Sequence, residues 1–239
     1  MRSLLAAAVL ACGPAVAGEL RPVSDMAAAP WRSLARVVVA GETRCSGFVV
    51  SPTQVLTAGP CLYSARLGGV VPASAVHVQV GYHMGRMTEH RVVAEHGIVH
   101  GYDPRRGLAV TGLDVAVLRL AVPLAAVPLP LAAPETGWTA GWVLGVGEKN
   151  AVAVAGYPRQ RPEVVGADTD CRLRGTIRDQ GGHSLLVHDC AGKEGTSGGP
   201  LLQRVGDGVW RVIGVHVAIN AERREGYAVP ASILEALIR

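Results

Sequence analysis

Short apolar segments recur along most of the chain, and glycine, proline and polar residues separate them. Many of these segments are rich in valine and alternate between apolar and polar positions, a period of two that is typical of strands in a sheet. The segments are 36–41, 46–51, 54–59, 75–81, 90–101, 114–120, 150–157, 183–190 and 208–219. No long amphipathic helix interrupts them, so the pattern predicts an all-β protein of the sandwich or barrel type.

Two segments depart from the strand pattern. Residues 121–137 are rich in proline. Because proline cannot donate to the central ladder of a sheet, we interpret this segment as a connection between two groups of strands of similar size. After Pro230, the apolar residues of 231–239 have helical spacing. They predict one short C-terminal helix that packs on a lobe.

The composition is that of a globular chain. It has 239 residues, of which 49% are hydrophobic and 18% charged, enough to bury a core in one large domain or two small lobes. The net charge of +4 is mild, and the arginines are scattered rather than interleaved with aromatic residues. With one Phe and five Tyr to stack on bases, the chain is not expected to bind nucleic acid.

The first residues are typical of a signal peptide. Arg2 is followed by the apolar run 4–11, and Ala15-Val16-Ala17 fits a cleavage site, which predicts a signal peptide over 1–17 and a mature start at Gly18. The alternative is a lipoprotein signal, with Cys12 acylated. No later apolar segment is long enough for a membrane span. We therefore expect a secreted or periplasmic protein.

Four cysteines remain after this cleavage: Cys45, Cys61, Cys171 and Cys190. An even number in an exported chain suggests two disulfides, for which three connectivities are open. The spacings CxxC and HExxH are absent, and His96 and His100 lie in a segment that alternates like a strand. We therefore expect no metal site and no cofactor.

Three segments carry candidate chemistry, at 45–61, 113–120 and 195–202. In the second, Asp114 opens an apolar strand, and in the third, Ser197 lies among glycines. Glycines around a nucleophile allow close approach of a substrate and let backbone N–H groups point at a developing oxyanion. The run GTSGG also fits the G-x-S-x-G elbow of α/β-hydrolases, but that fold needs alternating strands and helices, which this sequence lacks.

In their order and context, the three segments resemble the trypsin/chymotrypsin-like serine peptidases, and especially the exported bacterial members of glutamyl-endopeptidase type. The resemblance runs from about residue 35 to the terminal helix. It implies two six-stranded antiparallel β-barrels with an active site in the cleft between them. We accordingly divide the mature chain into an N-terminal barrel lobe, 18–132, and a C-terminal barrel lobe, 133–239.

The resemblance also implies roles for single residues. It makes Asp114 the aspartate of a catalytic triad and Ser197 the nucleophile, with the N–H groups of Gly195 and Ser197 as the oxyanion hole. Ala191 and His216 would line the substrate pocket, where GVHV resembles the G-I-H-W that receives an acidic side chain in glutamyl endopeptidases. The implied disulfides are Cys45–Cys61 and Cys171–Cys190.

The sequence departs from the family at the histidine. The family pattern L-T-A-A-H-C stands here as LTAGPC, residues 56–61, which places Pro60 where the catalytic histidine is expected. Proline has no titratable group and no backbone N–H, so it cannot accept the Ser197 proton. The sequence thus predicts a monomeric pseudoprotease that binds a polypeptide. The alternative is an active serine endopeptidase with a substitute base, for which His100 is the first candidate.

A second departure precedes the serine. Many animal members carry an aspartate there, which pairs with a newly cut N-terminus, whereas this chain has Thr196. We therefore expect no dependence of the site on that particular pairing.

Overall fold

The computed structural model describes residues 18–39, 43–132, 151–205 and 209–238. The proposed signal peptide, 1–17, lies outside them. The described chain is mostly strand and ends in one α-helix, as the sequence predicts. The elements are β1 (Arg21–Pro22), β2 (Leu34–Val39), β3 (Thr43–Ser51), β4 (Gln54–Thr57), β5 (Tyr63–Ser64), β6 (Gly69–Val70), β7 (Val76–Val80), β8 (Glu89–Val92), β9 (Glu95–Ile98), β10 (Ala116–Arg119), β11 (Ala151–Gly156), β12 (Gly166–Arg178), β13 (Ser184–His188), β14 (Pro200–Val205), β15 (Val209–Asn220), β16 (Glu225–Pro230) and α1 (Ala231–Ile238).

The first large sheet is an antiparallel half-barrel in the order β8-β7-β2-β3-β4-β10-β9. Its strands alternate as the sequence suggests: along β7, the valines are buried and the residues between them are partly exposed. This sheet is the first of the two β lobes that the sequence predicts. The run 90–101, read as one strand, breaks at Val93–Ala94, where the chain leaves β7 and joins β10. One segment therefore supplies both edges of the sheet.

The second large sheet closes into a six-stranded barrel. Its order is β12-β11-β14-β15-β16-β13, and pairing of β12 with β13 completes the ring. The two-residue strand β1 adds to its outside by pairing with the start of β12, with Arg21 opposite Ala167. The sequence prediction of a second barrel is confirmed, although its strands β12, β14 and β16 were not among the predicted segments.

Each of the two ends of the described chain contacts the lobe that is distant from it in the sequence. At the N-terminal end, β1 lies on the closed barrel. At the C-terminal end, α1 contacts both sheets: Leu234 is fully buried, Gln54 Nε2 donates to the Ile238 carbonyl at 2.9 Å, and Arg119 donates to the Leu237 carbonyl at 3.3 Å. Gln54 and Arg119 belong to β4 and β10 of the half-barrel. No helix within the described ranges has the length and apolar character of a membrane span.

Candidate active site

The serine segment is a tight loop between β13 and β14. Gly195 and Gly198 have φ values of +95° and +85°, a conformation that favours glycine. Neither position has room for a side chain: a Cβ on Gly195 would lie 2.5 Å from the Tyr157 carbonyl oxygen, and one on Gly198 would overlap the Ser46 carbonyl oxygen. The glycines on both sides of Ser197 are therefore required by the close packing of this loop.

Ser46, at the centre of β3, holds the loop in place. Its hydroxyl donates to the Gly195 carbonyl at 2.8 Å and accepts from the Tyr157 N–H at 2.7 Å, while its own N–H donates to the Ser197 carbonyl at 3.0 Å. The N–H groups of Gly195 and Ser197 donate to no atom of the described residues. They are thus available as a pair of donors, the arrangement that an oxyanion hole needs.

The three segments singled out in the sequence meet at this loop. Asp114 follows a short 3₁₀ turn, and one residue separates it from the start of β10. Its Oδ1 accepts a hydrogen bond from the Gly59 N–H at 2.8 Å. A Cβ on Gly198 would lie 2.7 Å from the Ala58 nitrogen, so the serine loop packs directly on the stretch before Pro60. The aspartate, the LTAGPC stretch and the serine loop are thus parts of one site.

The Asp114 carboxyl is buried and receives few hydrogen bonds for a buried acid. It is 6% exposed, and the Gly59 N–H is the one hydrogen-bond donor that the described residues give it. Burial raises its pKa to about 7, against the opposing effect of that single hydrogen bond. Pro60 follows Gly59 in the turn Gly59–Leu62, is exposed, and has no N–H to offer.

Tyr102 is a part of this site that the sequence reasoning missed. Its ring packs on Gly59 so closely that a Cβ there would lie 2.7 Å from the ring carbon Cε1. Burial and then the nearby charge of Asp114 raise the pKa of Tyr102, so its phenol stays neutral. The one local signal was Gly59 itself, which replaces the second alanine of L-T-A-A-H-C and leaves room for the ring.

The described residues place no general base within hydrogen-bond distance of Ser197 Oγ. Its side chain is half-buried, and its Oγ makes one long hydrogen bond, at 3.4 Å, to the carbonyl of Val217. A carbonyl cannot take up the serine proton. His100, the candidate substitute, is exposed, and its side chain bonds to no residue of the described ranges.

His216, which the resemblance assigns to the substrate pocket, forms a buried pair with His188. His188 Nε2 and His216 Nδ1 are 3.2 Å apart, and the Cys190 N–H donates to His188 Nδ1 at 3.2 Å. Burial lowers the pKa of His216 to about 4, and burial together with His216 lowers the pKa of His188 well below its usual value. Both rings are therefore neutral at pH 7.

The hydrogen bonds of this pair fix which nitrogen of each ring carries the proton. Since His188 Nδ1 accepts from the backbone, its proton lies on Nε2 and is donated to His216 Nδ1. The proton of His216 is then on Nε2, which a Cβ on Gly192 would approach to 2.8 Å. An N–H donor is thereby presented beside Ala191 and Gly192.

Both disulfides that the resemblance implied are present. Cys45 and Cys61 are joined with a Cα–Cα distance of 5.9 Å, and Cys171 and Cys190 with one of 4.8 Å. The first fixes the residue after Pro60 to β3, and the second fixes the residue before Ala191 to β12. In the part of the chain that the structure describes, no three His, Cys, Asp or Glu side chains cluster as metal ligands would.

Comparison with known proteins agrees with this geometry. No curated protein matches the sequence. Among solved structures, a Glu endopeptidase in complex with MPD is similar in fold, with a TM-score of 0.68 over 93% of this chain and 97% of that one, at 17% sequence identity. The family model of the trypsin-like peptidase domain matches residues 45–215. The chain therefore belongs to the family of trypsin-like peptidase domains.

Proposed function

We propose that this protein is an exported homologue of the trypsin-like serine peptidases that binds a polypeptide in its cleft and is strongly impaired as a hydrolase, because Pro60 occupies the position of the general base. The loop around Ser197, the pair of free N–H donors and the histidine-lined pocket support a retained binding cleft. The two disulfides support an oxidising compartment outside the cytoplasm.

One observation carries the proposal: Asp114 and Ser197 share a site in which the described residues place no imidazole beside either of them. In a working triad, the aspartate orients a histidine that takes the serine proton. Here, the Asp114 carboxylate bonds to the Gly59 N–H, and Ser197 Oγ bonds to a carbonyl. Loss of the histidine alone costs about 10⁶ in turnover, or roughly 8 kcal/mol of barrier, in a subtilisin-type triad.

The test compares the mature wild type with Pro60→His and Ser197→Ala. We expect wild-type hydrolysis of peptide and ester substrates near background, and poor labelling by organophosphates, which require an activated serine. Pro60→His should raise both, because the new residue restores an imidazole and a backbone N–H beside Asp114. Recovery will be partial if the ring of Tyr102 holds the imidazole out of place, since a misplacement of ~1 Å can cost about 10².

Two controls sharpen the result. Adding Tyr102→Ala to Pro60→His frees the space beside Gly59, and it should increase recovery if the ring is the obstacle. Wild-type turnover within tenfold of an ordinary protease, and abolished by Ser197→Ala, would contradict the proposal. The active-endopeptidase alternative would then hold, and His100→Gln would be the first variant to examine.

For the bound polypeptide, we propose an acidic side chain in the pocket beside Ala191. Its carboxylate would accept the Nε2–H of His216, a neutral donor whose orientation the Cys190 N–H fixes through His188. Peptides that differ by Glu, Gln or Arg at one position, titrated against Ser197→Ala by fluorescence anisotropy, should bind in that order of affinity. Tighter binding of the Arg peptide would exclude this preference.

A further inference from the structure

A second buried carboxylate lies in the closed barrel, bonded to the Ala191 N–H. Asp168, in β12, is 3% exposed. Its Oδ1 accepts from the Asp170 N–H at 3.1 Å and its Oδ2 from the Ala191 N–H at 2.8 Å. No Arg, Lys or His of the described residues forms an ion pair with it. A buried carboxylate without a counter-charge is costly, so this site calls for a cation.

The start of the mature chain lies directly against this carboxylate. Pairing of Pro22 with Gly166, together with the hydrogen bond from the Val23 N–H to the Val165 carbonyl at 2.9 Å, lays the N-terminal segment along β12. Gly18 then sits so close that a Cβ on it would overlap Asp168 Oδ2 and lie 3.0 Å from Cγ. The Gly18 α carbon, and with it the backbone nitrogen one bond away, therefore lies close to this carboxylate.

We propose that Asp168 is the binding site of the α-ammonium group of Gly18, which hydrolysis of the Ala17–Gly18 peptide bond creates. Water adds across that bond, leaving a carboxylate on Ala17 and an ammonium on Gly18. The ammonium pairs with Asp168 and supplies the missing cation. The site rests on cleavage after Ala17 and is independent of whether Ser197 is reactive.

The pair acts on the pocket through Ala191. Asp168 Oδ2 holds the Ala191 N–H, between the disulfide-bonded Cys190 and Gly192, which packs on His216. An ammonium group bound to the same carboxylate would hold Asp168, and through it the backbone of 190–192, in place. The residue before the serine takes no part, because the fully buried Thr196 hydroxyl donates to the Lys193 carbonyl at 2.6 Å within its own loop.

The test uses three disulfide-bonded forms: the full chain, a chain that starts at Gly18, and one that starts at Ala17. The last has the same charge, moved by one residue or about 3.8 Å. We expect the Gly18 form to melt about 5 °C above the Ala17 form. This difference should vanish in Asp168→Asn and persist in Asp170→Asn, which removes an exposed carboxylate two residues away.

Two further measurements hold even if Asp168→Asn fails to fold. The α-amine of the Gly18 form should be acylated at least about tenfold more slowly than that of the Ala17 form, because the paired ammonium must first lose its proton. Amide hydrogen exchange in 190–197 should be slower in the Gly18 form than in the full chain. Equal melting temperatures with equal acylation rates, or a mature N-terminus other than Gly18 on the exported protein, would overturn the proposal.

Discussion

At the scale of single residues, the surroundings of Asp114 bear directly on the proposed loss of the triad histidine. A triad aspartate is kept ionised by several donors and by the imidazole that it orients. Pro60 offers neither an imidazole nor a backbone N–H, the described residues give the carboxyl one donor, the Gly59 N–H, and burial raises its pKa to about 7. Under the proposed function, Pro60 takes the place of the base, and burial leaves the carboxyl of Asp114 half protonated at neutral pH.

This pKa makes stability depend on pH in a defined direction. The folded carboxyl holds its proton up to pH 7, whereas at its ordinary value of 3.8 it loses the proton much earlier. The favourable contribution is therefore complete below pH ~4, declines as pH rises to about 7, and is absent above it. The full difference amounts to about 4 kcal/mol.

Asp114→Asn should remove this dependence. An amide oxygen still accepts from the Gly59 N–H and carries no charge, so we expect the free energy of unfolding to rise by about 2–4 kcal/mol at pH 8 and to change little at pH 4. Urea denaturation at both pH values measures this. Asp25→Asn, at an exposed site, serves as the control and should change neither value. A loss of stability at pH 8 would show that Asp114 has a stabilising cationic partner.

At the scale of elements, the alternation of valine located β2, β3, β7 and β15, because each buries an apolar face. It did not locate β12, whose outward positions carry charged residues and whose inward positions include small ones. It also joined β8 and β9, since the break between them is a change of pairing partner rather than of composition. Alternation of apolar and polar residues indicates that one face of a strand is buried. It does not indicate which strand is its neighbour in the sheet.

The residues of the candidate site also fall into those that the sequence indicates and those that it does not. Asp114, Ser197 and the cysteines carry local motifs, and the sequence was enough to single them out. Tyr102, Ser46 and Asp168 matter because of what lies across from them in space. No pattern within a few residues of each could indicate those partners.

Ser46 makes the clearest prediction for a contact between elements. Ser46→Ala would leave the Tyr157 N–H and the Gly195 carbonyl without their buried partner, at a cost of about 1–3 kcal/mol in the free energy of unfolding. Ser51→Ala, at the partly exposed end of the same strand, should cost less than about 0.5 kcal/mol. Equal effects in thermal or urea unfolding would mean that the hydroxyl of Ser46 does not brace the serine loop.

At the scale of the whole molecule, the lobes exchange their ends. The strand β1 lies on the closed barrel, and α1 bonds to Gln54 and Arg119 of the half-barrel. Each end therefore links the lobe next to it in the chain to the other lobe. Such links favour unfolding of both lobes together.

Calorimetry can measure this coupling. The mature chain should show one unfolding transition. Removal of 231–239 exposes the site that Leu234 fills and should lower the melting temperature by about 5 °C or more. Removal of 18–23 as well should separate the transition into two. A single transition in the doubly truncated chain would show that the remaining contacts between lobes suffice for cooperativity.

The exchange of ends also dictates an order of events during synthesis. The first structured residues to be made, those of β1, have their partner at 166–167, and the last, those of α1, dock on strands made long before. The β1 contact cannot form until residues 166–167 have been made, and the α1 contact cannot form until the chain is almost complete. Under the proposed cleavage after Ala17, the residues that follow it have no partner strand until most of the protein has been made, so a processing enzyme would meet them unpaired.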